Sequence, residues 1–319
     1  MRLLVLAPPL LATALCPAAT SGAQTSDLEK SVRARLDALE ATSTFYAKHL
    51  PTGREIAVRA DEPVNTVSVI KLPVMILAYR DVDAGRLDLA ERHVIVAEDL
   101  RRGTGVLQTF AVGLNPTWRD LVTQMITTSD NTATDILIGR LGLARVNQML
   151  ESLGYGQTRL DMTIAQLFRG VWELLDPKHA SLTDPEVFER GFPEEAPYRE
   201  YVRDPKKWFG RTTAREMSRL LEQLQKGELA KPVSTAAMLD ILDEQVYFSR
   251  LPQRIRFRVR IGHKTGDWPP LLGNDVGILH ARSGPIVISA FTNDNRGSFF
   301  DLEATLGRVA EDVLDAWER

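Results

Sequence analysis

Apolar residues recur every three or four positions over Asp27–Leu39, where Leu28, Val32, Leu36 and Leu39 share one helical face. Ser43–Leu50 and Glu55–Arg59 read as two strands around the turn Pro51-Thr52-Gly53. From Ser68 the pattern turns helical, through Leu72–Ala84, Trp118–Thr128, Asn131–Leu141 and Leu143–Leu153, each with a glycine or polar boundary. Ile164, Leu167, Val171 and Leu174 keep helical spacing over Ile164–Leu175. Residues 176–210 carry Pro177, Pro185, Pro193, Pro197 and Pro205 and read as a long loop, of the kind that is usually functional or inserted. A helix is expected again over Thr213–Leu224. Ile255–Gly262 alternates strictly, with Ile255, Phe257, Val259 and Ile261 on one face, and is expected to be a strand. Asp275–Ala281 and Pro285–Thr292 read as strands flanking the turn Arg282-Ser283-Gly284, and Ser298–Trp317 as a closing helix.

Strands at both ends and helices between them predict an α/β (α+β) fold. An antiparallel sheet is built from both chain ends with flanking helices, and an all-helical lobe is inserted into it. Residues 24–66 and 213–319 form the α/β lobe and 67–212 the helical lobe, and the cleft between lobes is the natural place for a site.

The chain has 319 residues, enough for a large core, and its formal charge of −3 argues against a nucleic-acid binder. The one basic stripe, Arg254, Arg256, Arg258 and Arg260, is explained by the solvated face of the expected strand. Residues 1–23 differ from the rest. Arg2 is their only charged side chain, Leu3–Leu15 is apolar, and Ser21-Gly22-Ala23 suits a cleavage site. This predicts a secretory signal peptide and a periplasmic or secreted protein of residues 24–319, with no membrane attachment after cleavage. Cys16 is the only cysteine, so the exported chain would fold without disulfides.

Three short strings carry the candidate chemistry: Ser68-Val69-Ile70-Lys71, Ser129-Asp130-Asn131 and Lys264-Thr265-Gly266. Lys71 lies one helical turn beyond Ser68, within reach of its hydroxyl, and a helix N-terminus disfavours a charged amine there while favouring a developing alkoxide. Ser129 can pass a proton to a leaving nitrogen, and Asn131 can hold an amide. Lys264 and Thr265 suit a carboxylate, and Gly266 lets a substrate backbone approach. Taken singly, each string has a plain structural explanation as a helix start, a polar cap or a strand end; their order and conjunction do not. His263 has no assignable aspartate partner and is expected to be structural. His49, His93, His179 and His280 show no ligand spacing, so neither metal nor cofactor is expected.

The trio resembles the signature of class A β-lactamases and penicillin-binding proteins. The resemblance extends to Ser68–Val74, Asp83–Leu89, Thr104–Gln108, Leu121–Gly142, Leu153-Gly154, Thr158–Asp161 and Asn274-Asp275, most of the chain except about 162–209. It implies Ser68 as acylated nucleophile, Lys71 as its base and Ser129 as proton shuttle. It also implies Asn131 on the substrate amide, Lys264 and Thr265 on its carboxylate, and the backbone N–H groups of Ser68 and Asp267 as oxyanion hole. The pattern breaks where the family places the glutamate that activates the deacylating water, three positions after the Arg-Leu-Asp of its omega loop: here Ile164 follows Asp161. The asparagine that supports that glutamate is replaced by Asp135, which is easier to accept if no carboxylate faces it. Glu173, nine positions beyond Ile164, is the candidate substitute, although an exposed place on an amphipathic helix explains it as well. The resemblance implies a serine hydrolase acting on a small β-lactam or related amide, and a monomer is expected. The alternatives are a D,D-peptidase acting on peptidoglycan-type peptides, or a penicillin-binding sensor that acylates without turnover.

Overall fold

The computed structural model describes residues 18–194 and 196–318. The expected signal segment lies outside these residues up to position 17, and helix α1 (Ala18–Asp37) runs through the expected cleavage site. Strands β1 (Thr42–His49) and β2 (Glu55–Val58) form the expected hairpin, with Gly53 at φ +70° supplying the left-handed turn. Three strands follow near the C-terminus: β6 (Ile261–Trp268), β7 (Leu272–Ala281) and β8 (Gly284–Asn293). Together the five make an antiparallel sheet of order β2-β1-β8-β7-β6, with Phe45 opposite Ala290 and Thr265 opposite Asp275.

Alternation along the strands splits the core in two. Phe45, Ala47, Ile288 and Ala290 face α1 and the terminal helix α11 (Phe299–Trp317), packing on Val32, Leu36, Leu306 and Val313. Tyr46, Val276, Val287 and Phe291 face the other way, into one large core shared with the helical lobe. That lobe contains α2 (Lys71–Asp83), α3 (Trp118–Thr127), α4 (Asn131–Leu141), α5 (Leu143–Ser152) and α6 (Ile164–Leu175), within one residue of the patterned segments. The helix expected near Thr213 is α9 (Ala214–Gln225).

Three features correct the pattern-based expectations. Of the strand expected over Ile255–Gly262 only Ile261 and Gly262 are extended, as the start of β6: residues 251–254 form a helical turn, and Arg256 and Val259 donate N–H bonds of 3.0 Å to the carbonyls of Pro252 and Ile255. Leu251, Ile255 and Val259 are buried at every fourth position, whereas Phe257 between them is 90% exposed, so the period that governs burial here is four rather than two. Two of the arginines instead clamp the terminal helix α11, Arg254 on Glu311 and Arg258 on Asp315, both at 2.5 Å. Lys264-Thr265-Gly266 consequently lies inside β6 rather than beyond a strand end.

Secondly, residues 176–210 are not a plain loop. They hold α7 (Asp184–Arg190), α8 (Tyr198–Arg203) and single turns at Pro177–Ser181 and Pro205–Lys207. Pro177, Pro185 and Pro205 stand in first turns, where a missing N–H costs nothing, behind the caps Asp176, Thr183 and Asp204. Thirdly, α10 (Pro232–Asp243) carries no expectation from the pattern; it buries Met238, Ile241 and Leu242 between the lobe and the sheet.

A second, small sheet of order β3-β5-β4 joins β3 (Val64–Asn65), β4 (Arg159–Leu160) and β5 (Gly210–Thr212). It ties both ends of the 161–209 excursion to the segment leading into Ser68. Gly210 is required there, since a Cβ would lie 2.7 Å from Ile70 Cγ1.

Candidate active site

Ser68 stands in a single tight turn, Val67–Ile70, immediately before α2. Val67 adopts φ +40°, a left-handed conformation that a β-branched residue rarely takes. The turn is held by Asn65, whose Oδ1 accepts the Val67 N–H at 3.1 Å, and by β6 passing close behind it. Gly266 permits that passage: a Cβ would sit 2.5 Å from the Thr66 carbonyl and 3.0 Å from Val69 N. Ser68 is left partly exposed at the floor of a cleft of about 740 Å³.

Lys71 opens α2 and is fully buried. Its Nζ lies 2.6 Å from the Ser129 carbonyl, 2.9 Å from Asn131 Oδ1 and 3.2 Å from Ser129 Oγ. Among the described residues no hydrogen bond joins it to Ser68; the expected partner is replaced by Ser129 and Asn131. Asn131 Nδ2 donates to the Arg102 carbonyl at 2.9 Å, which fixes Oδ1 toward the lysine. On the other side Lys264 Nζ reaches Ser129 Oγ at 3.0 Å and the Thr265 carbonyl at 2.8 Å. Ser129 is itself held at φ +54° between α3 and α4, its carbonyl taking a 2.7 Å bond from Thr104 Oγ1. Asp130 fixes this corner by accepting the N–H groups of Ala133 at 2.9 Å and Leu107 at 2.8 Å.

Two amines thus converge on one hydroxyl, and both are shifted. Burial, then the neighbouring Lys264 amine, holds Lys71 well below the ordinary lysine value, against the pull of Asp130, Asp135 and Asp267. Burial also brings Lys264 down to about 7, with Arg250 adding to the fall and Asp267 and Asp275 opposing it. A neutral Lys71 has two N–H groups and one lone pair. The Ser129 carbonyl and Asn131 Oδ1 can only accept, so they take the two N–H groups. The lone pair is then left for a hydroxyl proton, while Ser129 Oγ can accept from Lys264.

Beyond Lys264, the buried Thr265 hydroxyl has no partner among the described residues. Asp267 lines the cleft, and its carboxylate is 2.5 Å from Arg250 Nη1. His263 does have an aspartate partner, contrary to expectation: Asp275 Oδ1 on the adjacent strand is 2.9 Å from Nδ1. Arg250 carried no signal in the sequence, and Asp275 none beyond the Asn274-Asp275 likeness, because each meets its partners only across elements distant in sequence.

Ile164 lines the cleft, as do Leu167 and Phe168 from the same helix, and the wall there is apolar. Asp135 caps that helix. Its carboxylate accepts the Ile164 and Ala165 N–H groups at 2.7 and 2.8 Å and pairs with Arg101 at 2.6 Å. Arg101 continues to Asp184 at 2.7 Å, which also pairs with Arg169. Glu173 lies on the same helix but is exposed; it lines a separate depression with Asp161, Arg169 and Lys207 and does not line the Ser68 cleft. The excursion supplies the rest of the wall. Phe192 meets Phe168 edge-on at 4.7 Å, and Tyr198 packs against Trp268 at 5.9 Å. It is strapped to the sheet end by Arg199 and Arg203, at 2.8 and 2.6 Å from Asp294. Among the described residues no group of three or more His, Cys, Asp or Glu is gathered to hold a metal, and no helix is long and apolar enough to cross a membrane.

An antiparallel sheet with an inserted helical lobe is the fold of the β-lactamase class. The chain belongs to the beta-lactamase enzyme family, whose model matches residues 27–317. A β-lactamase from Sphaerobacter thermophilus is similar in structure, with a TM-score of 0.74 and 27% identity over 91% of this chain and 96% of that one. PBP-A shares the fold at a TM-score of 0.73 and 23% identity, covering 92% of this chain and 96% of that one, and a mutant of it has been solved as an acyl-enzyme complex with penicillin G. A β-lactamase of Streptomyces fradiae is 34% identical over 140 residues, 41% of this chain and 45% of that protein. The chain therefore spans less than half the length of the curated relatives it matches.

Proposed function

We propose that the protein is a secreted serine hydrolase of the β-lactamase type that opens a β-lactam or related amide through a Ser68 acyl-enzyme. The observation that carries this reading is the convergence of the Lys71 and Lys264 amines on Ser129 Oγ, 3.2 and 3.0 Å away. A neutral Lys71 turns its lone pair to Ser68 Oγ and takes its proton as the Oγ–C bond forms. The N–H groups of Ser68 and Asp267 receive the oxyanion. The C–N bond breaks as Ser129 gives its proton to the leaving nitrogen, and Lys71 returns a proton to Ser129, so acylation leaves no net charge behind.

A second reading concerns the fate of that acyl group. Ile164 turns an apolar side chain into the cleft where a water-activating carboxylate would be needed. Glu173 lines another depression, Asp267 is engaged by Arg250, and Glu200, which also lines the cleft, is exposed. This favours a penicillin-binding or peptidase-like protein with slow hydrolysis over a fast β-lactamase.

The test is a chromogenic cephalosporin, supplied as free acid and as methyl ester, followed by absorbance and by intact-protein mass. A covalent adduct on Ser68, absent in Ser68→Ala, is expected. Sustained turnover supports the hydrolase, and a stoichiometric burst with a stable adduct supports the second reading. Ring opening that survives Ser68→Ala would refute both.

A further inference from the structure

The leaving-group side of the cleft carries an unexpected charge, and its consequence for substrate choice rests on the acyl-enzyme reading. Side chains alternate along β6, so His263, Thr265 and Asp267 share one face of the strand. By resemblance that face, at Thr265, receives a substrate carboxylate. Here it is occupied by the protein's own acids. Asp267 lines the cleft beside Ser68, 2.5 Å from Arg250 Nη1. The same Nη1 is 3.3 Å from Glu303, and Arg250 is buried, its side chain only 3% exposed. Asp275 stands behind them, taking the Leu251 N–H at 3.1 Å and facing His263 at 2.9 Å. Asp267, Asp275 and Glu303 together keep Arg250 charged in spite of its burial. One guanidinium therefore pairs with two carboxylates and feels a third, and only its buried Nε is left without a partner among the described residues. The Thr265 hydroxyl, buried and unpartnered among the described residues, can donate to a carbonyl or accept an amide N–H equally well.

We infer that Asp267 is a specificity-determining residue, which turns the family's carboxylate-binding strand into a subsite for a neutral carboxamide or ester. A free carboxylate beside Thr265 would meet the Asp267 charge at short range, in a site where water screens poorly. A neutral group of the same shape loses nothing there.

The cephalosporin acid and its methyl ester decide the matter, through the second-order rate of Ser68 acylation for each. The wild-type protein is expected to favour the ester by about tenfold or more, a factor worth about 1.4 kcal/mol. Asp267→Asn removes the charge and keeps the shape, and the ester-to-acid ratio is expected to fall about tenfold, mainly through KM for the acid. A D-alanyl peptide ending in carboxamide or carboxylate should show the same reversal. A wild-type preference for the acid overturns the inference with no variant needed, and so does a ratio unchanged in Asp267→Asn. An adduct with neither compound overturns the acyl-enzyme reading and this inference together, whereas an adduct with an unchanged ratio overturns the inference alone.

Discussion

Replacing Lys264 by methionine should stabilise the protein below neutral pH and destabilise it in alkali. Lys264 is fully buried and titrates at about 7, against 10.5 for an ordinary lysine. The unfolded chain therefore binds a proton between these values that the folded one does not, so the stability of the wild-type protein rises with pH across that window. The cost of burying the amine is fully present below about 7 and disappears as pH rises through 10.5. At about 1.4 kcal/mol per pH unit it amounts to roughly 5 kcal/mol at pH 6 and roughly 1 kcal/mol at pH 10. Methionine fills the same space without that cost. It gives up the bonds to Ser129 Oγ and the Thr265 carbonyl, together worth about 2 kcal/mol. The net effect of Lys264→Met is then about 3 kcal/mol of stabilisation at pH 6 and about 1 kcal/mol of destabilisation at pH 10. Relief of Lys71, whose amine Lys264 disfavours in its charged form, adds to the gain at low pH. At about 2 °C per kcal/mol for a chain of this size, melting curves resolve both signs. Activity should be lost at both pH values. A change in Tm of the same sign and size at pH 6 and pH 10 would refute the argument.

Two further substitutions test the wall of the cleft that faces a deacylating water. Asp135→Ala should cost about 3–5 kcal/mol in urea denaturation, because it strips a buried partner from Arg101 and uncaps α6 at Ile164 and Ala165, while Asp135→Asn should cost less. Ile164→Glu alone places a second carboxylate beside Asp135 and should gain little, whereas Ile164→Glu with Asp135→Asn should release a Ser68 adduct at least about tenfold faster, measured by the return of unmodified protein mass. Equal release rates in the single and double variants would count against repulsion by Asp135.

Legibility in the sequence followed how local the determinants are. α4 and α6 were readable to the residue because their caps announce them: Asp130 accepts from Ala133, and Thr163 and Gln166 cap each other at the head of an apolar stripe. The stretch 255–262 misled because Leu251, Ile255 and Val259 share a buried period of four while Phe257 and Ile261 happen to fall between and after them. The prolines of 176–210 suggested loop, although three of them sit in helical first turns. The small sheet was invisible, since strands of two or three residues have no period to show. At the site, the three motifs marked Ser68 and Asn131, which line the cleft, and Lys71, Ser129 and Lys264, which are buried and joined to Asn131 by hydrogen bonds. The pairs that tune them depend on register. Asp275 meets His263 only because β7 sets Gly277 opposite His263 and so leaves Asp275 on the diagonal, and Arg250 reaches Asp267 and Glu303 across elements distant in sequence.

The two departures along the chain, Ile164 and Asp135, form one physical unit. An asparagine at 135 would leave the α6 N-terminus with a neutral cap. The aspartate instead brings a full charge to the two leading N–H groups and to Arg101, and through Arg101 to Asp184 and Arg169, which fasten α6 to α7. That arrangement has a condition: no second acid can stand at the start of α6, because Asp135 has no spare proton or cation for it. An apolar residue at 164 satisfies the condition and at the same time extends the hydrophobic wall formed by Leu167, Phe168 and Phe192. The charge of Asp267 lies on β6, on the side of the leaving group, and the apolar change at Ile164 lies on α6, on the side of the water. Between them the Lys71–Ser129–Lys264 bridge is intact. Departures that spare the groups for bond breaking while rebuilding both flanks are what altered substrate choice and acyl lifetime would require, whereas decay of an unused site would be expected to erode the buried lysines first, since they are the costliest residues in the cleft to keep.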